Sequence, residues 1–340
     1  ALEWMRRSLQ PPEGEWIDAD KQIWPLKEWS TLTSMLACFA SLLPLTVLLL
    51  QCRPFRPLQG APVGDYAATG KGYWIPVVLH SVLAWLYLPL ILVIFGLHVY
   101  VVPIDGAFPM MLVNAIVWWM LASNAIAYLF FRRWWKKRAQ PEGLTGVELG
   151  IAYEGNKWPQ IGLTALLAVA LFLFASLCED VLEQILIVDF RFIFPFASDL
   201  TPYRWAMFLL YLPFIALGFT LKGLMLQGRL RRPSKGTWLK TWASRTASTL
   251  FVQIAPIVAF LLVQYVPLFA TGFIPFVGPG GMFVSMVINL FHIIGVLAIT
   301  APIATWCYEL TGKVYLGSFL NAMLVAWMFA SSQVIAPLPV

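Results

Sequence analysis

Two groups of residues in this 340-residue chain combine types that could do chemistry. The first is His80 with Asn289 and His292. Each lies inside a long apolar run, where an ionisable or amide side chain is costly and by default marks a proton relay, a ligand contact or an ion path. Asn289 and His292 are one helical turn apart, so a helix presents both on one face. If the run holding His80 packs against theirs, the two imidazoles could share a proton relay or a polar ligand. The plainer reading is a satisfied histidine bonded across helices in each case, and no spacing in the sequence places the two runs together.

The second group is acidic: Glu179, Asp180 and Glu183, followed by Asp189 and Arg191. If a helix continues through them, spacings of three and four put Glu183 on the face of Asp180 and Glu179. Like charges this close require a proton, a partner such as Arg191, or a cation. A hard metal such as Ca²⁺ would accept such oxygens, with His98 and Asp105 expected on the same side. A solvated helix end or a docking face accounts for the same residues without a metal, so the metal stays unknown.

Signatures of soluble enzymes are missing. The sequence holds no GxSxG elbow, no HExxH and no GxxxxGK[ST]. No catalytic residue is assigned and no cofactor is implied. Cys38, Cys52, Cys178 and Cys307 are far apart and form no CxxC pattern, so they read as small apolar residues. Gly278-Pro279-Gly280-Gly281 has no following base and reads as a tight turn.

The elements that must position these groups follow from composition. The chain is 60% hydrophobic and 12% charged, with mean hydropathy +0.75, where soluble domains are about half apolar and about a quarter charged. Apolar runs fall near 32–51, 73–101, 109–131, 160–180, 203–225, 247–271, 281–306 and 315–335. Each is long enough to span a bilayer as a helix, and period-two alternation is absent. The fold class is therefore all-α: a polytopic helical membrane bundle of about eight transmembrane helices. Ile185 to Phe196, apolar again after the acidic group, forms an interfacial or re-entrant element after the fourth span. Residues 1–30 are a polar arm and 31–340 the transmembrane domain. Pro76, Pro89, Pro213, Pro256 and Pro302 predict kinks. Trp74, Trp134, Trp135, Trp158, Trp205, Trp238 and Trp242 mark span ends. No internal repeat of the transporter kind is visible.

Lys and Arg alternate by loop. Loops one, three, five and seven hold three, six, seven and one, whereas loops two, four and six hold none, two and none. The positive-inside rule puts the odd loops in the cytoplasm. The chain then sits in the cell membrane, multi-pass, with both termini extracytoplasmic. The net charge of +6 follows from this topology, so membrane lipids are the expected partner and nucleic acid is not; oligomeric state stays open.

Three stretches carry a resemblance: Gln22-Ile23-Trp24-Pro25-Leu26-Lys27-Glu28-Trp29, Asp189-Phe190-Arg191-Phe192, and Thr311-Gly312-Lys313-Val314-Tyr315-Leu316-Gly317-Ser318-Phe319-Leu320-Asn321-Ala322. They resemble the C-terminal membrane region of bacterial α/β-hydrolase-family proteins, in which a dienelactone-hydrolase-like or esterase-like domain precedes a multispan domain. The resemblance implies that Ala1 to Gln10 is the last helix of such a hydrolase domain and that its catalytic triad lies upstream, outside this sequence. It implies a membrane domain that anchors an extracytoplasmic hydrolase and serves substrate access to it. Two other readings stand beside it: a transporter or channel, and an intramembrane lipid-modifying enzyme.

Overall fold

A computed structural model describes Ser8 and residues 24–335, apart from 103, 105, 189, 192–196, 278–281 and 334, and apart from the side chains of 95, 98, 99, 111, 282, 283 and 285. Most of the polar arm, Asp105, Asp189, the His98 side chain and the Gly278 to Gly281 turn therefore lie outside the described residues.

The chain is a bundle of helices: α1 Trp24–Gln51, α2 Gly70–Trp85, α3 Tyr87–Tyr100, α4 Met111–Trp134, α5 Lys157–Leu186, α6 Pro202–Gly223, α7 Trp238–Thr271, α8 Met282–Thr311 and α9 Tyr315–Ser332. Seven of these, with the continuations of α4 and α6, are long and apolar enough to cross a membrane, and the pair α2 and α3 makes an eighth span if taken together. The outward faces carry exposed Leu48, Leu173, Leu209, Leu217 and Leu262, the arrangement expected where lipid replaces water. α9 is the most enclosed helix. Its Gly317 admits Ala304 of α8 so closely that an added Cβ would lie 2.8 Å from the Ala304 Cα, the small-residue contact that membrane helices use in place of a hydrophobic driving force.

Among the described residues α1 runs from Trp24. Two sequence expectations are adjusted. The single span over 73–101 is broken, with a bend of 47° between α2 and α3. Pro89 has no N–H to give the Trp85 carbonyl and its ring crowds that position, while the Trp85 indole donates to the Pro256 carbonyl at 2.9 Å and braces the bend against α7. Finally, α5 runs unbroken through Glu179, Asp180 and Glu183 and stops at Ile187, which adopts a left-handed φ of 55°. Ile185 and Leu186 thus belong to α5. Beyond them Phe190 and Ala197 form one antiparallel bridge.

The odd-numbered connections are knit together at one end. Ala68 N donates to Arg231 O (2.7 Å), Gly60 N to Leu310 O (3.0 Å) and Val314 N to Gly150 O (3.1 Å). Gly150 and Gly312 have φ of +71° and +63°, and a Cβ on either would lie 2.6–2.7 Å from a backbone oxygen of the next loop, so glycine is required at both. At the other end, the Trp327 indole donates to Ser198 O at 2.9 Å. The basic loops therefore share one side, as their charge pattern requires.

Candidate intramembrane binding site

α2, α4, α6, α7, α8 and α9 surround a cavity of about 90 Å³. The helical period explains what faces it. Asn289, His292, Ile293, Val296 and Leu297 are one stripe of α8, and Ile116, Met120, Ser123 and Asn124 one stripe of α4. His80 enters from α2, Lys222 from α6 and Gln253 from α7. One water needs about 10–15 Å³ of such space, so the cavity has room for several, or for the head of a small ligand. His80, Asn289 and His292, which the sequence could not place together, meet here.

The electrostatics are one-sided. His80, Lys222 and His292 line the cavity, and among the described residues no Asp or Glu does. Among the described residues Lys222 makes no ion pair; its ammonium lies 5.8 Å from the Phe219 ring centroid, a modest cation–π contact. The Ser123 hydroxyl and the Trp119 indole N–H are buried without a hydrogen-bond partner among the described residues. A charge removed from water is costly unless something pairs with it. An anion seated against Lys222 is the species this geometry compensates.

Lys222, counted at the exit of the 203–225 run, lies within α6, and Arg229 and Arg231, counted in the loop that follows, are buried. The missed signal was local: Lys222 follows an apolar run and is separated from the next base by Gly-Leu-Met-Leu-Gln-Gly, too deep for a solvated loop. The helix in fact continues past it as a π-helical turn, Leu224–Arg229, a widening often found at functional positions.

Arg231 is held differently. Its Nε donates to Tyr66 O (2.8 Å), and its Nη1 donates to Glu148 O (3.0 Å) and to the Tyr308 hydroxyl (3.1 Å). Nearby, Arg245 Nη1 donates to Glu309 Oε1 at 2.5 Å in a buried ion pair. The Tyr66 phenol, which donates to Arg229 O at 2.7 Å, is pushed up to about 12 by burial, against the opposing pull of Arg229 and Arg231.

The acidic group gathers at the opposite end of the bundle from these arginines. Glu179, fully buried, and Glu183 come together with Asp199, their ligand-type atoms all within 4.8 Å of one another. Asp180 makes side-chain contact with Asp199 instead. Arg191 Nη2 donates to Glu183 Oε1 at 3.3 Å and neutralises part of the cluster. The oxygens suit a hard cation in kind. Asp199 was missed because a loop separates it from α5 in sequence.

The stretch from Thr311 to Ala322 is accounted for by packing. Besides Gly312 and Gly317, Lys313 Nζ donates to Ala152 O (2.6 Å) and the Tyr315 hydroxyl to Ile151 O (2.5 Å). No protein-family model matches the chain, and neither curated proteins nor solved structures give a significant match.

Proposed function

We propose that this chain is a multi-pass protein of the cell membrane that takes a small organic anion into the cavity around Lys222 and carries it across the bilayer, with the odd loops cytoplasmic and both termini outside. The observation that carries the reading is a lysine facing an internal cavity that offers two further basic groups and, among the described residues, no carboxylate. Phe219, Ile257 and Phe329 line the same space and would receive the apolar part of such an anion, while Ser123 and Trp119 offer donors. Hexanesulfonate tests this, being anionic at every working pH and slow through lipid. Purified protein should bind it saturably, read by tryptophan fluorescence, and reconstituted vesicles should take it up. Lys222→Met should weaken binding at least about tenfold, the loss of one charge-assisted contact. No binding by the unaltered protein, or equal binding by the variant, would remove the proposal.

The resemblance of residues 22–29, 189–192 and 311–322 to the membrane region of α/β-hydrolase-family proteins supports a second reading, a membrane domain anchoring an extracytoplasmic hydrolase. The two are compatible, because ester hydrolysis releases a carboxylate. The coding sequence upstream of Ala1 decides it: a domain bearing GxSxG is expected there, and a different domain or none would end this reading.

A further inference from the structure

From the cavity around Lys222 a row of separate small spaces with shared wall residues leads toward the end of the bundle that carries the odd loops. A second space of about 20 Å³ shares Phe219, Lys222 and Gln253 with the first. A third, of about 10 Å³, shares Leu226 and Gln227 with the second. This third space shares Arg231, Arg245 and Glu309 with a surface cleft of about 560 Å³. The two middle spaces match one water each, and are too small for an organic solute. Their walls are largely apolar but include several polar side chains within the bundle. Asn321, nearly fully buried, lines the second space and donates Nδ2 to Thr300 O at 2.8 Å, while its Oδ1 has no hydrogen-bond partner among the described residues. Thr249 and Thr305 line the third. Gln227 stands where the two meet, in the π-helical turn after α6.

We propose that this row of small spaces is a proton path joining the Lys222 cavity to the odd-loop side, with the Arg245–Glu309 ion pair at its mouth. It deepens the anion reading of the same cavity and rests on it. A proton taken up at the mouth passes along single waters, each accepting one proton and releasing one. It ends on a neutral imidazole of the cavity, His80 or His292, whose free ring nitrogen takes it, and no other species is consumed. The groups facing the path are His80 on α2, Lys222 on α6, Arg245 on α7, His292, Tyr308 and Glu309 on α8, and Arg231 and Arg232 in the loop before α7. An anion that enters with a proton crosses without net charge, which is what a cavity of basic groups fed by a proton path allows.

The test uses the full chain in vesicles loaded with the pH dye pyranine, with a potassium diffusion potential set by valinomycin. Protons should enter faster than in protein-free vesicles. Gln227→Leu should slow this entry at least about tenfold with hexanesulfonate binding unchanged, and Gln227→Asn should restore it. Thr249→Val, equal in volume but lacking the hydroxyl, should slow it too, and decides the matter if Gln227→Leu loses binding through misfolding. Proton entry no faster than in protein-free vesicles, or entry indifferent to both Gln227→Leu and Thr249→Val, overturns the path. If hexanesulfonate binding is absent while proton entry depends on Gln227, the anion reading fails and the path stands.

Discussion

Lys222 and Arg231 are nine positions apart, carry the same charge and look alike in a count of loop residues, yet the fold uses them in opposite ways. Arg231 is surrounded by acceptors, with carbonyls from two other loops and a phenol from α8 taking its donors. Its planar fork matches several fixed oxygens at once, so it ties the loops and has nothing left to offer a ligand. Lys222 faces open space lined by other bases. A saturated buried cation is architecture, and an unsaturated one beside a cavity is a place for something to bind.

The largest effect expected from breaking that contrast is at Arg231. Arg231→Met removes the donors from Tyr66 O, Glu148 O and the Tyr308 hydroxyl together. The Tyr308 bond is buried and the two carbonyl bonds are half-buried; a buried group left unpaired costs about 1–3 kcal/mol, so a loss of about 2 kcal/mol or more is expected, read as a lowered thermal midpoint in detergent. Arg231→Lys should recover little, since an ammonium cannot span the same oxygens. A midpoint within about 1 kcal/mol of the parent would show that water replaces the guanidinium, and the two cations would not differ as described.

Lys222→Met should move stability the other way. Methionine fills a similar volume without a charge to desolvate, and replacing buried charge with apolar groups is neutral or stabilising by up to about 1–4 kcal/mol. The thermal midpoint should hold or rise while hexanesulfonate binding falls. A midpoint lowered as far as that of Arg231→Met would make Lys222 structural.

Sequence order explains why this contrast was hidden. The spans were legible because bilayer thickness imposes a length and an apolar character on every crossing, and the break at Pro89 was legible as a kink because proline acts on its own helix. The placing of His80 and His292 on one cavity depends on how α2 and α8 both pack against α7, which no local pattern encodes. The same holds for Asp199 beside Glu179. Counting bases by loop captured the side on which most of them lie, because that pattern is a sum. It did not reveal that Arg229 and Arg231 are buried or that Lys222 faces a cavity, because burial is decided residue by residue by neighbours far along the chain.

The smallest expected effect lies at the rim of the Arg231 knot. The carbonyl of Glu148 accepts from Arg231, and its carboxylate accepts from Thr145 N at 2.7 Å and from the Thr145 hydroxyl at 2.9 Å, while Glu148 N donates to that same hydroxyl oxygen at 3.2 Å. This reciprocal pair is the chemistry of a capping box, here closing a turn. The two Thr145 bonds hold the Glu148 carboxyl below its ordinary value of 4.5. A depressed folded value means that the stabilisation is fully present above the unfolded value and is lost as pH falls through the folded one. The carboxylate is exposed to solvent, so screening keeps the effect within about 1 kcal/mol. Glu148→Gln should therefore lower the thermal midpoint slightly at pH 7, and the difference from the parent should close on acidification below pH 4.5. A gap that persists unchanged into acid would mean that the amide disturbs the turn by shape rather than by charge, and the knot would then depend on the geometry of this loop as well as on Arg231.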